Sequence, residues 1–145
     1  MKIGIVSGYF NPLHAGHVDY ISASREQCGI LVVIVNNDKQ VELKGSIPFM
    51  DEIHRAKIMS SLIYTDHVII SKDVDSTVCK TIEYIKQIHP NNKLIFFNSG
   101  DRIGDNINLA EEDLCRLLDI DFVILPLPKK YSSSELIKQA ILKIK

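Results

Sequence analysis

The sequence of 145 residues carries almost no excess of either charge. Lysine and arginine number 17 and aspartate and glutamate 18, so the formal net charge is −1. Nucleic acids and anionic membranes attract a basic surface excess, and neither is expected as a partner. The longest apolar run, Ile30–Val35, is far shorter than the roughly 20 residues that a membrane span needs. The apolar start reaches Ser7-Gly8 too early for a signal-peptide core, so we expect a cytoplasmic protein.

Cysteine is also scarce, and the three residues Cys28, Cys79 and Cys115 form no Cys-x-x-Cys pair. This spacing excludes a zinc knuckle and a dithiol redox site. We expect three reduced, mostly buried thiols, as is usual in the cytosol. Repeats, low-complexity tracts and long linkers are absent, which predicts one domain over residues 1–145.

Short apolar, β-branched runs alternate with segments of helical period along the whole chain. The predicted strands are Lys2–Ser7, Ile30–Asn36, His67–Ser71, Lys93–Asn98 and Asp121–Leu125. The predicted helices are Gly16–Cys28, Asp51–Ile63, Asp75–His89, Leu109–Leu118 and Ser132–Lys145. Strands that are apolar on both faces are typical of a parallel sheet covered by helices.

This alternation predicts an α/β fold, a single doubly wound, Rossmann-like domain with a five-stranded parallel sheet and helices on both faces. Ligands of such folds bind beside the carboxyl ends of the strands, where the strand order reverses. Candidate functional residues are therefore those that directly follow each strand. Asp73 and Asp75, after the third strand, are predicted to cap the next helix rather than to act in catalysis.

The segment after the first strand, Gly8-Tyr9-Phe10-Asn11-Pro12-Leu13-His14-Ala15-Gly16-His17, leads into a helix. His17 is predicted in the first helical turn, next to unpaired backbone N–H groups and the positive end of the helix dipole. Gly16 has no Cβ and lets an anion approach the backbone closely. A lone histidine here would be a loop or helix-start residue, but the whole decapeptide favours phosphate binding.

Two common phosphate-binding motifs are missing. The first turn lacks Gly-x-Gly-x-x-Gly, which excludes a Rossmann oxidoreductase. No strand is followed by Gly-Lys-Ser/Thr, which excludes a P-loop.

Gly-x-Phe-Asn-x-x-His-x-Gly-His resembles the signature of the cytidylyltransferase-like nucleotidyltransferase superfamily. The likeness extends over nearly the whole chain, with the segments Val35-Asn36-Asn37-Asp38, Leu43-Lys44-Gly45, Ser99-Gly100-Asp101 and Tyr131-Ser132-Ser133-Ser134. The segments after the second strand, together with Pro48 and Arg55, look most like heptose-phosphate adenylyltransferase domains. Glycerol-3-phosphate cytidylyltransferases are the other similar group.

The resemblance implies that a substrate phosphate attacks the α-phosphorus of a nucleoside triphosphate and releases pyrophosphate. His14 and His17 would stabilise charge on the α-phosphate, and Lys44 would close on the phosphates from a mobile loop over Lys39–Phe49. These three residues are the predicted catalytic set. Mg²⁺ is expected to arrive with the triphosphate, without a dedicated metal site in the protein.

Further residues are implied in binding the nucleotide. They are Gly8, Tyr9, Phe10, Asn11, Gly16, Arg55, Asp101, Arg102, Lys129, Ser132, Ser133 and Ser134. Asn11, where many relatives carry Asp, is expected to bind substrate or to orient its loop. Arg55 is expected either to contact the triphosphate or to pair with Asp51 one helical turn away. The serine run also reads as a capping box, since Ser132 precedes Glu135 by three residues.

The identity of the nucleotide stays open. Glycerol-3-phosphate cytidylyltransferases carry Arg-Thr-Glu-Gly where this chain has Leu127-Pro128-Lys129-Lys130. This departure and the Leu-Lys-Gly segment favour ATP slightly over CTP. Pantetheine-phosphate and nicotinamide-mononucleotide adenylyltransferases are a third resemblance.

The acceptor is expected to be a phosphorylated small molecule, such as a sugar or polyol phosphate. A homodimer is a further expectation, because relatives often form dimers. A non-catalytic nucleotide-binding module is the alternative, and the presence of all the motif residues disfavours it.

Overall fold

The five predicted strands form one parallel sheet in the computed structural model, which describes residues 1–99, 109–127 and 133–144. The strands are β1 (Lys2–Gly8), β2 (Ile30–Val35), β3 (His67–Ile70), β4 (Lys93–Ser99) and β5 (Asp121–Leu125). Their order in the sheet is β3-β2-β1-β4-β5, and each neighbouring pair is parallel. The order reverses between β1 and β4, so the crevice at their carboxyl ends is the place for a ligand.

All five predicted helices are present, and a sixth was not predicted. The helices are α1 (Ala15–Arg25), α2 (Asp38–Leu43), α3 (Glu52–Ser60), α4 (Cys79–Ile88), α5 (Leu109–Leu117) and α6 (Ser133–Ile144). The short α2 occupies the first part of the segment Lys39–Phe49, for which a loop was predicted. That prediction is wrong there because a helix of six residues is too short to show an apolar period.

The start of α4 differs from the prediction by four residues, because side chains before it hold the backbone in turns. The Asp75 carboxylate accepts hydrogen bonds from N (2.9 Å) and Oγ1 (2.7 Å) of Thr77. The Thr77 hydroxyl is the main reason why the pKa of Asp75 is lowered. The buried Asp73 carboxylate accepts from the amides of Lys80 (2.7 Å) and Thr81 (3.1 Å) in the first turn of α4. Asp73 therefore caps this helix, as predicted, whereas the Asp75 carboxylate holds the turn before it, so the prediction that Asp75 caps the helix is wrong.

The sheet separates two apolar clusters, because alternate side chains of each strand point to opposite faces. Ile5 of β1 packs with α4, through Ile82 and Ile85, and with α5. The next residue, Val6, belongs to the other cluster, which contains Ile21 of α1 and Met59 of α3. Helices therefore cover both faces, and the predicted fold class is confirmed.

The three cysteines are free thiols, but only Cys115 is buried, while Cys28 and Cys79 are half-buried. Burial raises the pKa of each thiol, and that of Cys115 reaches about 12. Within the described ranges, the helices are too short or too polar to cross a membrane.

We expect Ile85→Ala in α4 to lower the free energy of unfolding by about 2–5 kcal/mol, because it opens a cavity in a fully buried position. The matched control is Ile88→Ala in the same helix. Ile88 is 47% exposed, so its substitution should change stability much less. Urea unfolding followed by circular dichroism measures both. Equal losses in the two variants would contradict this description of α4.

Candidate active site

The two histidines of the motif form a reciprocal cap at the start of α1. His14 is the N-cap residue, and its Nδ1 accepts a hydrogen bond from the Gly16 amide at 3.1 Å. The Nδ1 of His17 accepts from the His14 amide, also at 3.1 Å. An imidazole whose Nδ1 accepts a hydrogen bond carries the proton of its neutral form on Nε2. Each ring therefore has an N–H donor on its Nε2 edge.

The two imidazole rings stack with their centroids 3.7 Å apart and their planes 20° from parallel. Phe10 meets the His17 ring edge-on, with the centroids 5.0 Å apart and the planes at 80°. Backbone hydrogen bonds and ring packing thus fix the orientation of both histidines. Two stacked imidazoles that each carry an N–H donor at a helix N-terminus are suited to an anion with several oxygens, such as a phosphate.

Phe10 adopts an unusual backbone conformation to support His17. Its φ is +49°, in the left-handed region that costs a non-glycine residue about 1–3 kcal/mol. The Phe10 ring is buried and lies over Gly8, where a Cβ would come within 2.7 Å of its Cζ atom. Gly8 is therefore needed for the close approach of Phe10, and the surrounding packing offsets the backbone strain.

Lys44 stands at the end of α2 and reaches towards the segment after β1. It is the C-cap residue of α2, and its Nζ lies 4.3 Å from the centroid of the Tyr9 ring. This is the distance of a cation–π contact. The structure thus brings the predicted cation next to Tyr9 of the His-x-Gly-His segment, although 35 positions separate the two residues in the sequence.

Asn11 is buried and joins the segment after β1 to the segment before α3. Its Nδ2 donates to the Ile47 carbonyl at 2.9 Å, and its Oδ1 accepts from the Phe49 amide at 2.7 Å. Of the two expected roles, the structure shows the orientation of the loop. A carboxylate at this position could accept from Phe49 but could not donate to Ile47.

Arg55 is 1% exposed and bonds to three separate segments. Its Nη1 donates to the carbonyls of Tyr9 (2.8 Å) and Asn36 (2.6 Å), and its Nε donates to the Met50 carbonyl (2.9 Å). Its Nη2 forms an ion pair with Asp38 at 2.7 Å. Four of the five guanidinium N–H groups are therefore engaged with the protein.

The expected pairing of Arg55 with Asp51 is wrong. The Asp51 side chain instead caps α3, with Oδ1 accepting from the His54 amide at 2.8 Å. Asp38 is the partner of Arg55 because the buried Arg55 side chain extends to the segments that follow β1 and β2, whereas Asp51 is exposed.

Two side-chain amides near this site, the half-buried Asn37 and the buried Gln40, were not singled out from the sequence as functional residues. Asn37 is the N-cap of α2, and its Oδ1 accepts from the Gln40 amide at 2.9 Å. The Gln40 side chain is fully buried, and its Oε1 accepts a hydrogen bond from the Asn37 amide at 3.0 Å. The spacing of Asn and Gln by three residues is that of a capping box, which was the signal available in the sequence.

Ser133, the first residue of α6, contacts the same region. Its Oγ donates to the Pro12 carbonyl at 2.8 Å, so the start of α6 lies against the segment that precedes α1. Asp101, Arg102, Lys129 and Ser132 lie outside the described residues, as does the side chain of Ser134. In residues 1–99, 109–127 and 133–144, no three histidine, cysteine or carboxylate side chains come together to hold a metal ion.

Comparison with known proteins agrees with this arrangement. The sequence profile of the family described as cytidylyltransferase-like matches residues 5–139. The chain belongs to this family. The predicted resemblance is thereby confirmed, and the paired histidines of this cytidylyltransferase-like domain stand at the strand-order reversal of a matching fold.

Curated relatives of similar identity carry different names. The bifunctional protein HldE of Hyphomonas neptunium is 32% identical over 142 residues, which is 97% of this chain but 27% of that protein. The chain thus spans about a quarter of that relative's length. The FAD synthase of Thermococcus sibiricus is 32% identical over 134 residues, which cover 91% of this chain and 84% of that protein.

Solved structures support the fold alone. The lipopolysaccharide core biosynthesis protein from Thermoplasma volcanium superposes with a TM-score of 0.68 at 23% identity, covering 89% of this chain and 99% of that one.

For this cytidylyltransferase-like domain, we expect Arg55→Met to lower the free energy of unfolding by about 3 kcal/mol. The substitution leaves three carbonyls and the Asp38 carboxylate without their donor. Removing one partner of a buried ion pair costs about 3–5 kcal/mol, and we expect the low end because the Asp38 side chain is 32% exposed. Arg116→Met, with a side chain that is 71% exposed, should cost less than about 1 kcal/mol. Denaturant unfolding of both variants checks this, and similar midpoints would contradict the central role of Arg55.

Proposed function

We propose that the protein is a nucleotidyltransferase that transfers a nucleoside monophosphate, with ATP as the favoured donor, to a phosphorylated small molecule. The observation that carries the proposal is the paired His14 and His17, whose Nδ1 atoms are both occupied by backbone amides. Their Nε2–H donors form a preorganised site for phosphate oxygens at the N-terminus of α1. The family membership supports the same reaction class.

In the proposed reaction, an oxygen of the acceptor's phosphate forms a bond to the α-phosphorus of the triphosphate. The bond from that phosphorus to the bridging oxygen of the β-phosphate breaks, and pyrophosphate leaves with its electron pair. No covalent intermediate with the enzyme is needed, because the substrates supply both nucleophile and leaving group. The protein's contribution is positioning and charge stabilisation.

The Nε2–H groups of His14 and His17 would donate to the oxygens of the α-phosphate, where negative charge grows in the transition state. Lys44 would exchange its contact with the Tyr9 ring for the phosphates of the bound triphosphate. Asn11 and Gly8 would act indirectly, since the first holds the segment after Lys44 and the second lets Phe10 support His17.

The contact of Arg55 with the triphosphate stays a prediction. Among the described residues, four of its N–H groups already have partners and the side chain is 0% exposed, so the main contribution of Arg55 would be to hold the loops. Mg²⁺ would enter bound to the triphosphate, where it neutralises phosphate charge.

The serine run would bind the β- or γ-phosphate. The hydrogen bond from Ser133 to the Pro12 carbonyl supports this role, because it brings the start of α6 next to the segment that contains His14.

ATP is favoured over CTP by the relatives as well as by the sequence. FAD, the product named for the Thermococcus sibiricus relative, contains an adenylyl group joined to a phosphorylated flavin. The acceptor proposed here remains a phosphorylated small molecule, with sugar and polyol phosphates as the first candidates. A cytidylyltransferase is the second candidate, and a tighter affinity for CTP than for ATP in calorimetry would favour it.

The test is pyrophosphate release from ATP or CTP with Mg²⁺ and a panel of sugar, polyol and flavin phosphates. Release with one pair is the expected result. If no pair reacts although ATP binds in calorimetry, the protein is a binding module rather than an enzyme. If neither nucleotide binds, the proposal fails altogether.

We expect His17→Ala to lower kcat by about 100- to 1,000-fold, because it removes one donor to the α-phosphate. The fold should persist, since the half-buried ring lies outside the two apolar clusters and contributes one capping hydrogen bond and contacts with His14 and Phe10. His54→Ala, at an exposed position of α3, is the matched control and should keep full activity. Steady-state pyrophosphate release, with circular dichroism as the folding check, measures both. An unchanged kcat for His17→Ala would remove this residue from the mechanism.

A further inference from the structure

The segment between β3 and α4 is attached to α2 by two side-chain amides in a regular pattern. The Nδ2 of Asn37 donates to the carbonyls of Ser71 (3.1 Å) and Asp73 (2.9 Å). The Nε2 of Gln40 donates to the carbonyls of Asp75 (2.8 Å) and Thr77 (2.7 Å). Every second carbonyl of this segment, from residue 71 to residue 77, therefore accepts a hydrogen bond from the side-chain amide of Asn37 or Gln40.

The side-chain amide of Gln40 uses both of its N–H donors and accepts two hydrogen bonds at its oxygen. Its Oε1 accepts from the Nδ2 of Asn36 and from the Asn37 amide, both at 3.0 Å, in addition to the two bonds donated by Nε2. The side chain is 0% exposed, so water cannot replace any of these partners. A glutamate of the same shape would keep the acceptor atoms and lose both donors.

Lys44 is connected to these contacts through α2, which is also held by the ion pair of Asp38 with Arg55 and by the buried Val41. The six residues of α2 are too few for a stable helix on their own, so the helix takes its position from the groups that hold it. Lys44 directly follows α2, and its amide donates to the Gln40 carbonyl at 3.1 Å. Gln40 and Lys44 are thus joined through one turn of helix.

We propose that Gln40, assisted by Asn37, is a positioning residue that sets the location of Lys44 by anchoring α2 to the segment of residues 71–77. The proposal rests on the proposed function in one respect, namely that Lys44 acts on the triphosphate. Gln40 itself touches no substrate. It acts on the reaction only through the helix that carries Lys44.

Two nearly isosteric variants test the proposal. Gln40→Glu removes the two donors to residues 75 and 77. Asn37→Asp removes the two donors to residues 71 and 73 and keeps an acceptor for the N-cap of α2, where Asp and Asn are equally favourable. The matched controls are Gln87→Glu and Asn91→Asp, which make the same chemical changes at exposed positions.

The first readout is amide hydrogen exchange in the absence of nucleotide. In both test variants, the exchange of the Lys44 amide should accelerate at least 10-fold relative to a core amide such as that of Val6. A variant that only lowers global stability would accelerate both amides together. The two controls should leave the ratio unchanged. Because Asn37 is only half-buried, Asn37→Asp decides the question if Gln40→Glu does not fold.

The second readout is turnover, corrected for the folded fraction. A misplacement of about 1 Å costs up to about 100-fold, so kcat should fall about 10- to 100-fold with KM changed less than about 3-fold. In a chain that already carries Lys44→Ala, the same substitutions should have no further effect, because they act through Lys44.

Two results would overturn the proposal. One is an unchanged exchange ratio for Lys44 in both test variants. The other is an equal loss of kcat with and without Lys44→Ala. A failure of the proposed function looks different: Lys44→Ala alone would leave kcat unchanged, or no acceptor would react, while the exchange result would still decide whether the amides hold Lys44.

Discussion

The buried guanidinium of Arg55 is the interaction on which the site depends. A charge taken out of water is costly unless its hydrogen bonds are met, and here the partners are backbone carbonyls of Tyr9, Asn36 and Met50 together with the Asp38 carboxylate. These partners belong to the segments that follow β1 and β2 and to the segment that precedes α3. Satisfying one side chain therefore brings three irregular segments to defined positions at the carboxyl edge of the sheet.

In the proposed reaction, the groups that act on the nucleotide come from two helix ends next to Arg55. The start of α1 supplies His14 and His17, fixed by each other's backbone and by the strained Phe10. The end of α2 supplies Lys44, and this helix is held by the buried Gln40 amide and by Val41, which is 1% exposed. Under the proposed function, Lys44 and the N–H donors at the start of α1 would supply the positive groups for a triphosphate, although the net charge of the chain is −1.

The fold and the histidine pair could be predicted from the sequence because both rest on local patterns. Apolar runs such as Ile30–Val35 predict buried parallel strands, and the decapeptide ending at His17 contains its own helix start. The role of Arg55 could not be predicted, because its partners lie up to 46 residues away and three of them are carbonyls, which every residue carries. The helix α2 was missed for a similar reason, since Gln40 is held by carbonyls of residues 75 and 77.

By itself, the sequence determined the strand–helix alternation, the motif residues His14 and His17, and the caps such as Asp73, all of which depend on neighbours within about ten residues. Only the tertiary structure decided which atoms those residues turn towards the site and what supports them. The physical reason is that the supporting polar groups are buried, and each must find a partner wherever the fold supplies one. Asn11 accordingly orients a loop, Arg55 pairs with Asp38 rather than Asp51, and Lys44 lies against Tyr9.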